Sequence, residues 1–136
     1  MRVEALGSVA DQPRNNLLLG LADSARARLL DASSIVALNS GELLFRHDDP
    51  VQHVLFPESG VISMVACTRE GGQVESGVVG REGALGLTEA LALAPFYARA
   101  TVQIPGHAWR TPAEVCREVF DVRPARRLVE AYTQAM

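Results

Sequence analysis

The most constraining feature of this sequence is a succession of short apolar runs between residues 34 and 110. Val, Ile, Leu and Phe dominate the runs, whereas Gly, Pro, Asp, Asn and Ser separate them. The runs lie at residues 35–38, 43–45, 53–57, 61–67, 73–79, 99–104 and 107–110. Short strands at regular spacing are typical of an antiparallel sandwich or barrel, because a parallel sheet needs helical crossovers. We therefore predict a mainly β protein, an antiparallel double-stranded β-helix (jelly-roll sandwich).

Short helices are expected before the strands. Residues 15–21 and 23–30 have helical patterns, and Asp23 or Ser24 is the expected cap of the second helix. Residues 1–14 have no usable periodicity and are expected to form a loose arm.

Two more helices are expected after the strands. Thr111 should cap the first, which runs to about Phe120, and the second follows Pro124. The second helix has an apolar stripe at spacings of three and four residues, formed by Ala125, Leu128, Val129, Tyr132 and Met136. The predicted parts of the chain are an arm with short helices (residues 1–33), a β-sandwich (34–111) and C-terminal helices (112–136).

The composition is that of one ordinary globular domain. The 136 residues support a single hydrophobic core, with 48% hydrophobic and 21% charged residues. No apolar run approaches the roughly 20 residues that a membrane span needs, and the N-terminus lacks a secretory signal core. We therefore expect a cytoplasmic protein without membrane contact. The net charge of −3 and the lack of a basic stripe argue against direct binding of nucleic acid.

The first predicted hairpins have a distinctive order of residues. Gly-Glu-Leu-Leu-Phe at 41–45 is followed by Asp-Asp-Pro at 48–50, Val-Leu-Phe at 54–56 and Ser-Gly-Val at 59–61. This series resembles the opening of the cyclic-nucleotide-binding domain in bacterial Crp/Fnr-type transcription regulators. The resemblance implies an effector-sensing domain without catalytic activity that responds to a small molecule, whose identity the sequence does not give.

The same resemblance implies how the C-terminal stripe is used. In the family, the helix at this place forms a two-fold dimer seam, so Leu128, Val129, Tyr132 and Met136 are candidates for a homodimer interface. Packing of the stripe on its own sandwich is the alternative. A helix-turn-helix domain follows in the family and contacts DNA. We expect none in this chain, so DNA would be contacted only through a C-terminal domain that the sequence lacks.

A glycine-rich segment after the fifth run is the strongest candidate site. Glycines at 80, 83 and 86 let a ligand approach the backbone and offer amides that can bind an anion. The resembled family has its phosphate-binding cassette here, with the pattern Gly-Glu-(Leu/Ile)-(Ala/Gly)-Leu and then Arg-(Ser/Thr)-Ala on the next strand. The matching residues are Gly83, Ala84, Leu85, Gly86 and Leu87. Alanine thus stands at the glutamate position. The alternative is a glycine-rich turn that serves only the geometry of the sheet.

The second part of the family pattern also differs. Ala98 stands at the arginine position and Arg99 at the serine position. Neighbouring strand residues point to opposite faces, so Arg99 is expected to point away from the cassette. A phosphate would lose charge-assisted bonds of roughly 1.5–3 kcal/mol each. We expect cyclic nucleotide to bind weakly or not at all, expect no cofactor, and predict a loop over residues 88–97.

Arg81 and Glu82 are the remaining candidates for contact with a polar effector. We favour a surface ion pair as the role of these two side chains. For the chain as a whole, a stand-alone cyclic-nucleotide-binding module is the alternative to a regulator's sensor domain.

A cupin-type metal-dependent enzyme is the rival interpretation. Gly41 and His47 resemble the start of the cupin metal motif, and His47, Asp49 and His53 could together bind non-haem iron. Turn formation explains the Asp-Asp-Pro segment better, and the downstream spacing of the motif fails. The two cysteines, Cys67 and Cys116, form no Cys-x-x-Cys pair and are expected to be reduced thiols. We therefore expect no metal site and no enzyme.

Overall fold

Two antiparallel sheets pack face to face in the computed structural model, which describes residues 13–120. Within these residues the strands are β1 (Ser34–Leu38), β2 (Leu43–Phe45), β3 (His53–Pro57), β4 (Val61–Cys67), β5 (Gln73–Val79), β6 (Arg99–Ile104) and β7 (Gly106–Pro112). The first sheet has the order β1-β7-β3 and the second the order β2-β6-β4-β5. The flanking helices are α1 (Asn16–Leu19), α2 (Asp23–Asp31), α3 (Leu87–Ala92) and α4 (Ala113–Phe120). The predicted jelly-roll fold is confirmed.

Strand β7 lies at the centre of the first sheet and separates two parts of the core. Trp109 pairs with Ile35 of β1 and Phe56 of β3, and all three pack towards the helices. Ala108 points the other way because successive strand residues face opposite sides. The helix-side cluster includes Leu17, Leu18, Leu29, Ile35, Val54, Phe56, Ala84, Leu87, Trp109, Cys116 and Phe120. The inter-sheet cluster includes Leu38, Phe45, Leu55, Ile62, Met64, Val79, Leu85, Phe96, Ala98, Ala100, Val102 and Ala108.

Two turns pack against each other at one end of the sandwich. Gly60 has a left-handed φ of +87°, and a Cβ there would lie 2.6 Å from the carbonyl oxygen of Ile104. A Cβ on Gly106 would lie 2.4 Å from the carbonyl carbon of Ser59. The amide of His107 donates a hydrogen bond to Ser59 Oγ at 3.1 Å. Only glycine leaves room for the two backbones to approach this closely.

Helix α2 starts without the predicted side-chain cap. The residue at its N-cap is Ala22, and neither Asp23 nor Ser24 caps it. Asp23 is the first helical residue and pairs with Arg26 at 2.7 Å. An acidic residue in the first turn is favourable because of the helix dipole, so Asp23 stabilises the helix from inside it.

The cap predicted at Thr111 is also wrong. Strand β7 continues through Pro112, which pairs with His53 of β3. The buried hydroxyl of Thr111 lies 2.6 Å from the hydroxyl of Ser33. The strand ladder and this hydrogen bond outweigh the capping preference of threonine, and α4 begins at Ala113.

Helix α3 lies in the segment predicted to be a loop. Both flanking residues, Gly86 and Leu93, are in the left-handed conformation, and no side chain caps the helix. Arg117 of α4 donates a hydrogen bond to the carbonyl oxygen of Ala90 at 3.2 Å. Contact with α4 therefore supports a helix too short to be stable alone.

No helix within residues 13–120 is long and apolar enough to cross a membrane. The helix predicted after Pro124 and its apolar stripe lie outside the described residues. The predicted domain boundaries stay predictions.

Candidate functional site

The cassette is joined to β3 by backbone hydrogen bonds. The amide of Leu85 donates to the carbonyl of Leu55 at 2.8 Å, and the amide of Leu55 donates to the carbonyl of Leu85 at 3.1 Å. Gly86 follows with a φ of +89°, and α3 begins at Leu87. A Cβ on Gly86 would lie 3.1 Å from Cγ1 of Val51, so the glycine keeps the segment close to β3.

The glycine amides before this bridge are bonded within the segment. The amide of Gly80 donates to Oε1 of Glu82 at 3.1 Å. The amide of Gly83 donates to the carbonyl of Gly80 at 3.2 Å. The carboxylate of Glu82 therefore accepts a hydrogen bond from Gly80, one of the glycines whose amides were expected to bind an anion.

Arg81 and Glu82 do not form the predicted surface ion pair. Both residues are exposed, but neither is among the ion pairs between described residues. Glu82 bonds the backbone of Gly80 instead, and the carbonyl of Arg81 accepts a hydrogen bond from the amide of Asn16 at 2.8 Å. Local backbone donors are closer to the Glu82 carboxylate than the flexible guanidinium is.

Ala98 and Arg99 point to opposite faces, as the strand period predicts. Ala98 is 0% exposed and packs in the inter-sheet cluster with Leu85. Arg99 is exposed and pairs with Val65 of β4. The only side chain of this pair that faces the cassette is therefore a methyl group.

The two positions that carry charge in the resembled family pack in different clusters here. Ala84 packs in the helix-side cluster, whereas Ala98 packs in the inter-sheet cluster. Phe96 fills the space next to Ala98 and stacks on Phe45 with ring centroids 4.6 Å apart. Apolar packing therefore surrounds both alanines.

An aromatic side chain outside the predicted site covers the edge of the inter-sheet cluster. The hydroxyl of Tyr97 lies 3.4 Å from the hydroxyl of Ser76 and 3.8 Å from the sulfur of Met64. Tyr97 is half-exposed, whereas Met64 is buried. Its ring thus spans β4 and β5 directly beside Ala98.

The residues of the rival metal site have other partners. His47 Nδ1 lies 3.2 Å from a carboxylate oxygen of Asp48, and Asp49 accepts a hydrogen bond from the amide of Arg46 at 2.8 Å. The ring of His53 lies against Arg110. Between residues 13 and 120, no three His, Cys, Asp or Glu side chains are grouped to hold a metal ion. These contacts do not support the cupin-type interpretation.

Asn15 contacts the cassette, and the sequence did not reveal this contact. Its side chain is fully buried, and its Nδ2 donates to the carbonyls of Gly83 at 2.8 Å and Pro57 at 2.9 Å. Its Oδ1 accepts from the amides of Leu17 and Leu18 and so caps α1. The capping signal was readable from an asparagine before an apolar run, but the contact with Gly83 is not local in sequence.

Comparison with a family model identifies the segment that contains this site. Residues 35–123, more than half of the chain, match the model described as "Cyclic nucleotide-binding domain". No curated protein sequence gives a significant match.

Solved structures share the fold at low sequence identity. The regulatory subunit of a cAMP-independent protein kinase A from Trypanosoma brucei has a TM-score of 0.80 at 16% identity, over 98% of this chain and 47% of that chain. The sensor domain of the transcriptional regulator DNR from Pseudomonas aeruginosa has a TM-score of 0.74 at 19% identity, over 99% and 91%. A Trypanosoma cruzi regulatory subunit bound to guanosine has a TM-score of 0.75 at 14% identity, over 85% and 41%. The chain spans about half of the Trypanosoma brucei subunit and somewhat less of the Trypanosoma cruzi subunit.

Proposed function

Because the chain belongs to the cyclic nucleotide-binding domain family, we propose that it is the effector-sensing domain of a Crp/Fnr-like transcription regulator that does not use a cyclic nucleotide. The single observation that carries this is the burial of Ala98, 0% exposed, where the family pattern has arginine. The glutamate position of the family pattern is likewise occupied by an apolar residue, Ala84. A phosphate in this cassette would have no guanidinium to offset its loss of hydration.

The order of residues at 41–61, which resembles the opening of the domain in Crp/Fnr-type regulators, favours a regulator over a kinase regulatory subunit such as the Trypanosoma brucei relative. The kinase relative is itself described as cAMP-independent, so the fold is compatible with a cassette that does not respond to cyclic AMP. We infer a cytoplasmic, non-catalytic domain that pairs through residues 125–136 and acts on DNA through a separate domain.

Isothermal titration calorimetry with cyclic AMP and cyclic GMP tests this proposal. We expect no heat of binding for either nucleotide at concentrations up to about 100 μM, because both charged contacts are missing. The exposed Arg99→Ala variant is the control, since its side chain points away from the cassette. A micromolar dissociation constant for either nucleotide would overturn the proposal, and loss of that binding in Arg99→Ala would show that Arg99 takes the place of the family arginine.

An uncharged nucleoside is a second candidate for the effector. The Trypanosoma cruzi relative is bound to guanosine, a ligand without a phosphate. The methyl groups of Ala84 and Ala98 place no charge in the cassette and are compatible with such a ligand. Guanosine in the same calorimetric series, with cyclic GMP as its charged counterpart, separates this candidate from the first.

A further inference from the structure

A cavity of about 390 Å³ lies between the two sheets, beside the cassette. Side chains of β1, β2 and β3 form most of its wall, and the apolar ones are Val36, Leu38, Leu43, Leu44, Phe45 and Leu55. Binding sites for small molecules commonly have a volume of about 300–1,000 Å³ and a largely apolar lining. The cavity has the size of such a site, but polar groups form about half of its exposed lining, which suits a charged ligand better than a wholly apolar one.

Arg110 is exposed to solvent and gives the open side of this cavity a positive charge. It is two residues from Ala108 in β7, so both side chains face the space between the sheets. The ion pairs between described residues do not include Arg110. Glu42, the carboxylate in the cavity wall, instead accepts hydrogen bonds from the amide and side chain of Asn39 at 3.1 and 3.2 Å. Within residues 13–120 the guanidinium thus lacks a carboxylate partner.

The contact with His53 uses only some of the N–H donors of Arg110. Nη2 of Arg110 lies 3.3 Å from Nε2 of His53. Burial of the imidazole, together with the charge of Arg110, lowers the pKa of His53 and favours the neutral ring. A guanidinium has five N–H donors, and one contact with a neutral imidazole leaves most of them for a ligand.

The cavity wall is also in contact with the cassette. Leu55 lines the cavity and exchanges both of its backbone hydrogen bonds with Leu85. The ring of Phe45 and the carbonyl oxygen of His53 both lie 3.6 Å from the position of a Cβ on Gly86. A ligand that displaces these wall residues would therefore move the cassette and the start of α3.

We propose that this cavity binds a small organic anion, a carboxylate on an apolar body of about five to ten carbon atoms. Arg110 pairs with the carboxylate through two parallel N–H···O bonds. The apolar body lies against Leu43 and Leu55. This inference rests on the proposed effector-sensing function and locates the effector beside the cassette instead of within it.

Titration of the ¹⁵N-labelled chain by NMR tests the proposal, with hexanoate as the probe. We expect saturable shifts at the amides of Leu43, His53 and Leu55, with a millimolar dissociation constant. Pentanol and pentylamine, which have the same five-carbon chain, should bind at least about tenfold more weakly, because neither can form two parallel N–H···O bonds with a guanidinium. The absence of a saturable hexanoate shift, or shifts confined to residues 80–87, would overturn the proposal.

Three variants test the charge of Arg110 and the volume of the cavity separately. Arg110→Met should weaken hexanoate binding about tenfold or more, whereas Arg99→Met, on the exposed face of β6, should leave it unchanged. Leu43→Trp keeps the charge but fills the cavity and should abolish binding. Unchanged binding in Leu43→Trp would overturn the proposal even if Arg110→Met does not fold.

The same sample distinguishes a failure of the proposed function from a failure of this inference. Cyclic AMP titrated into it would shift residues 83–87 if the cassette binds nucleotide, which would overturn the proposed function alone. The hexanoate shifts decide the cavity proposal independently of that result.

Discussion

At the scale of single residues, a buried polar side chain matters here when its hydrogen bonds join segments far apart in sequence. Asn15 caps α1 through Oδ1 and bonds the carbonyls of Pro57 and Gly83 through Nδ2. Because the residue is fully buried, water cannot replace these bonds when the side chain is removed. The cassette therefore depends on a residue 68 positions earlier in the chain.

We expect Asn15→Ala to lower the free energy of unfolding by about 2–4 kcal/mol, from the lost cap and two buried carbonyls left without donors. Asn16→Ala is the matched control, because this neighbouring asparagine is exposed, and we expect it to change stability by less than about 0.5 kcal/mol. Urea denaturation followed by circular dichroism measures both variants. Equal losses in the two variants would contradict the role given to the Asn15 side chain.

The lowered pKa of His53 predicts a loss of stability in acid. Its folded-state pKa lies below its ordinary value of about 6.5, so the unfolded chain binds more protons in this range. The contribution of His53 is thus complete above about pH 6.5 and is lost as the pH falls through the lowered folded-state pKa.

In Arg110→Met we expect the pKa of His53 to rise partway towards its ordinary value, because burial, the larger cause of the shift, remains. NMR titration of the ring protons measures this pKa in both proteins. Melting temperatures at pH 7.5 and pH 5 should also differ less in His53→Gln than in the natural sequence. A His53 pKa that does not change in Arg110→Met would show that the two side chains are not coupled.

At the scale of helices and strands, the sequence predicted what local patterns determine. Each strand lies within two residues of its predicted position, because turn-forming residues mark both ends of the apolar runs. Helix α3 was missed because left-handed residues flank it and no side chain caps it, so the usual boundary signals are absent.

The candidate site was only partly predictable for a related reason. Strand alternation correctly predicted the opposite orientations of Ala98 and Arg99. The bond from Asn15 to Gly83 and the cavity around Arg110 depend on how distant elements pack, which short-range patterns do not encode. The predicted dimer stripe lies outside the described residues and stays a prediction.

Gly60 lies in one of the two packed turns, whereas Gly41 does not. We therefore expect the same substitution to destabilise the protein to different extents at the two positions. Gly41 and Gly60 have nearly the same left-handed φ, +80° and +87°, but a Cβ on Gly41 would meet nothing within 4 Å. We expect Gly41→Ala to lower the free energy of unfolding by about 1–2 kcal/mol, because alanine is strained in the left-handed conformation. Gly60→Ala should cost at least about 2 kcal/mol more, because its Cβ would meet the carbonyl oxygen of Ile104 at 2.6 Å. Similar urea midpoints for the two variants would show that the turns can separate without cost.

At the scale of the whole molecule, the helix-side cluster joins elements from both ends of the described chain. Leu17 and Leu18 of α1 pack in the same cluster as Val119 and Phe120 of α4. Cys116 lies in this cluster with 0% exposure, and burial raises the pKa of its thiol to about 12. The reactivity of this thiol therefore reports on the opening of the cluster as a unit.

In the Cys67→Ser background, we expect Cys116 to resist iodoacetamide at pH 8 while the protein is folded. Only about one thiol in ten thousand would be ionised at that pH, and the residue is shielded as well. Labelling as a function of urea, read by mass spectrometry, should follow the same midpoint as circular dichroism. Labelling that begins well below that midpoint would show that the cluster opens locally before the sheets unfold.

The hydrogen bond from Asn15 to Gly83 also has a consequence for the order of events during synthesis. Translation at about 5–20 residues per second makes Gly83 roughly 3–14 s after Asn15, because 68 residues separate them. Throughout that interval the Asn15 side chain can bond the nearby amides of Leu17 and Leu18 but lacks the carbonyl of Gly83. On the ribosome, the first helix of residues 13–120 therefore cannot complete its contacts until the cassette, and after it Val119 and Phe120 of α4, have been made.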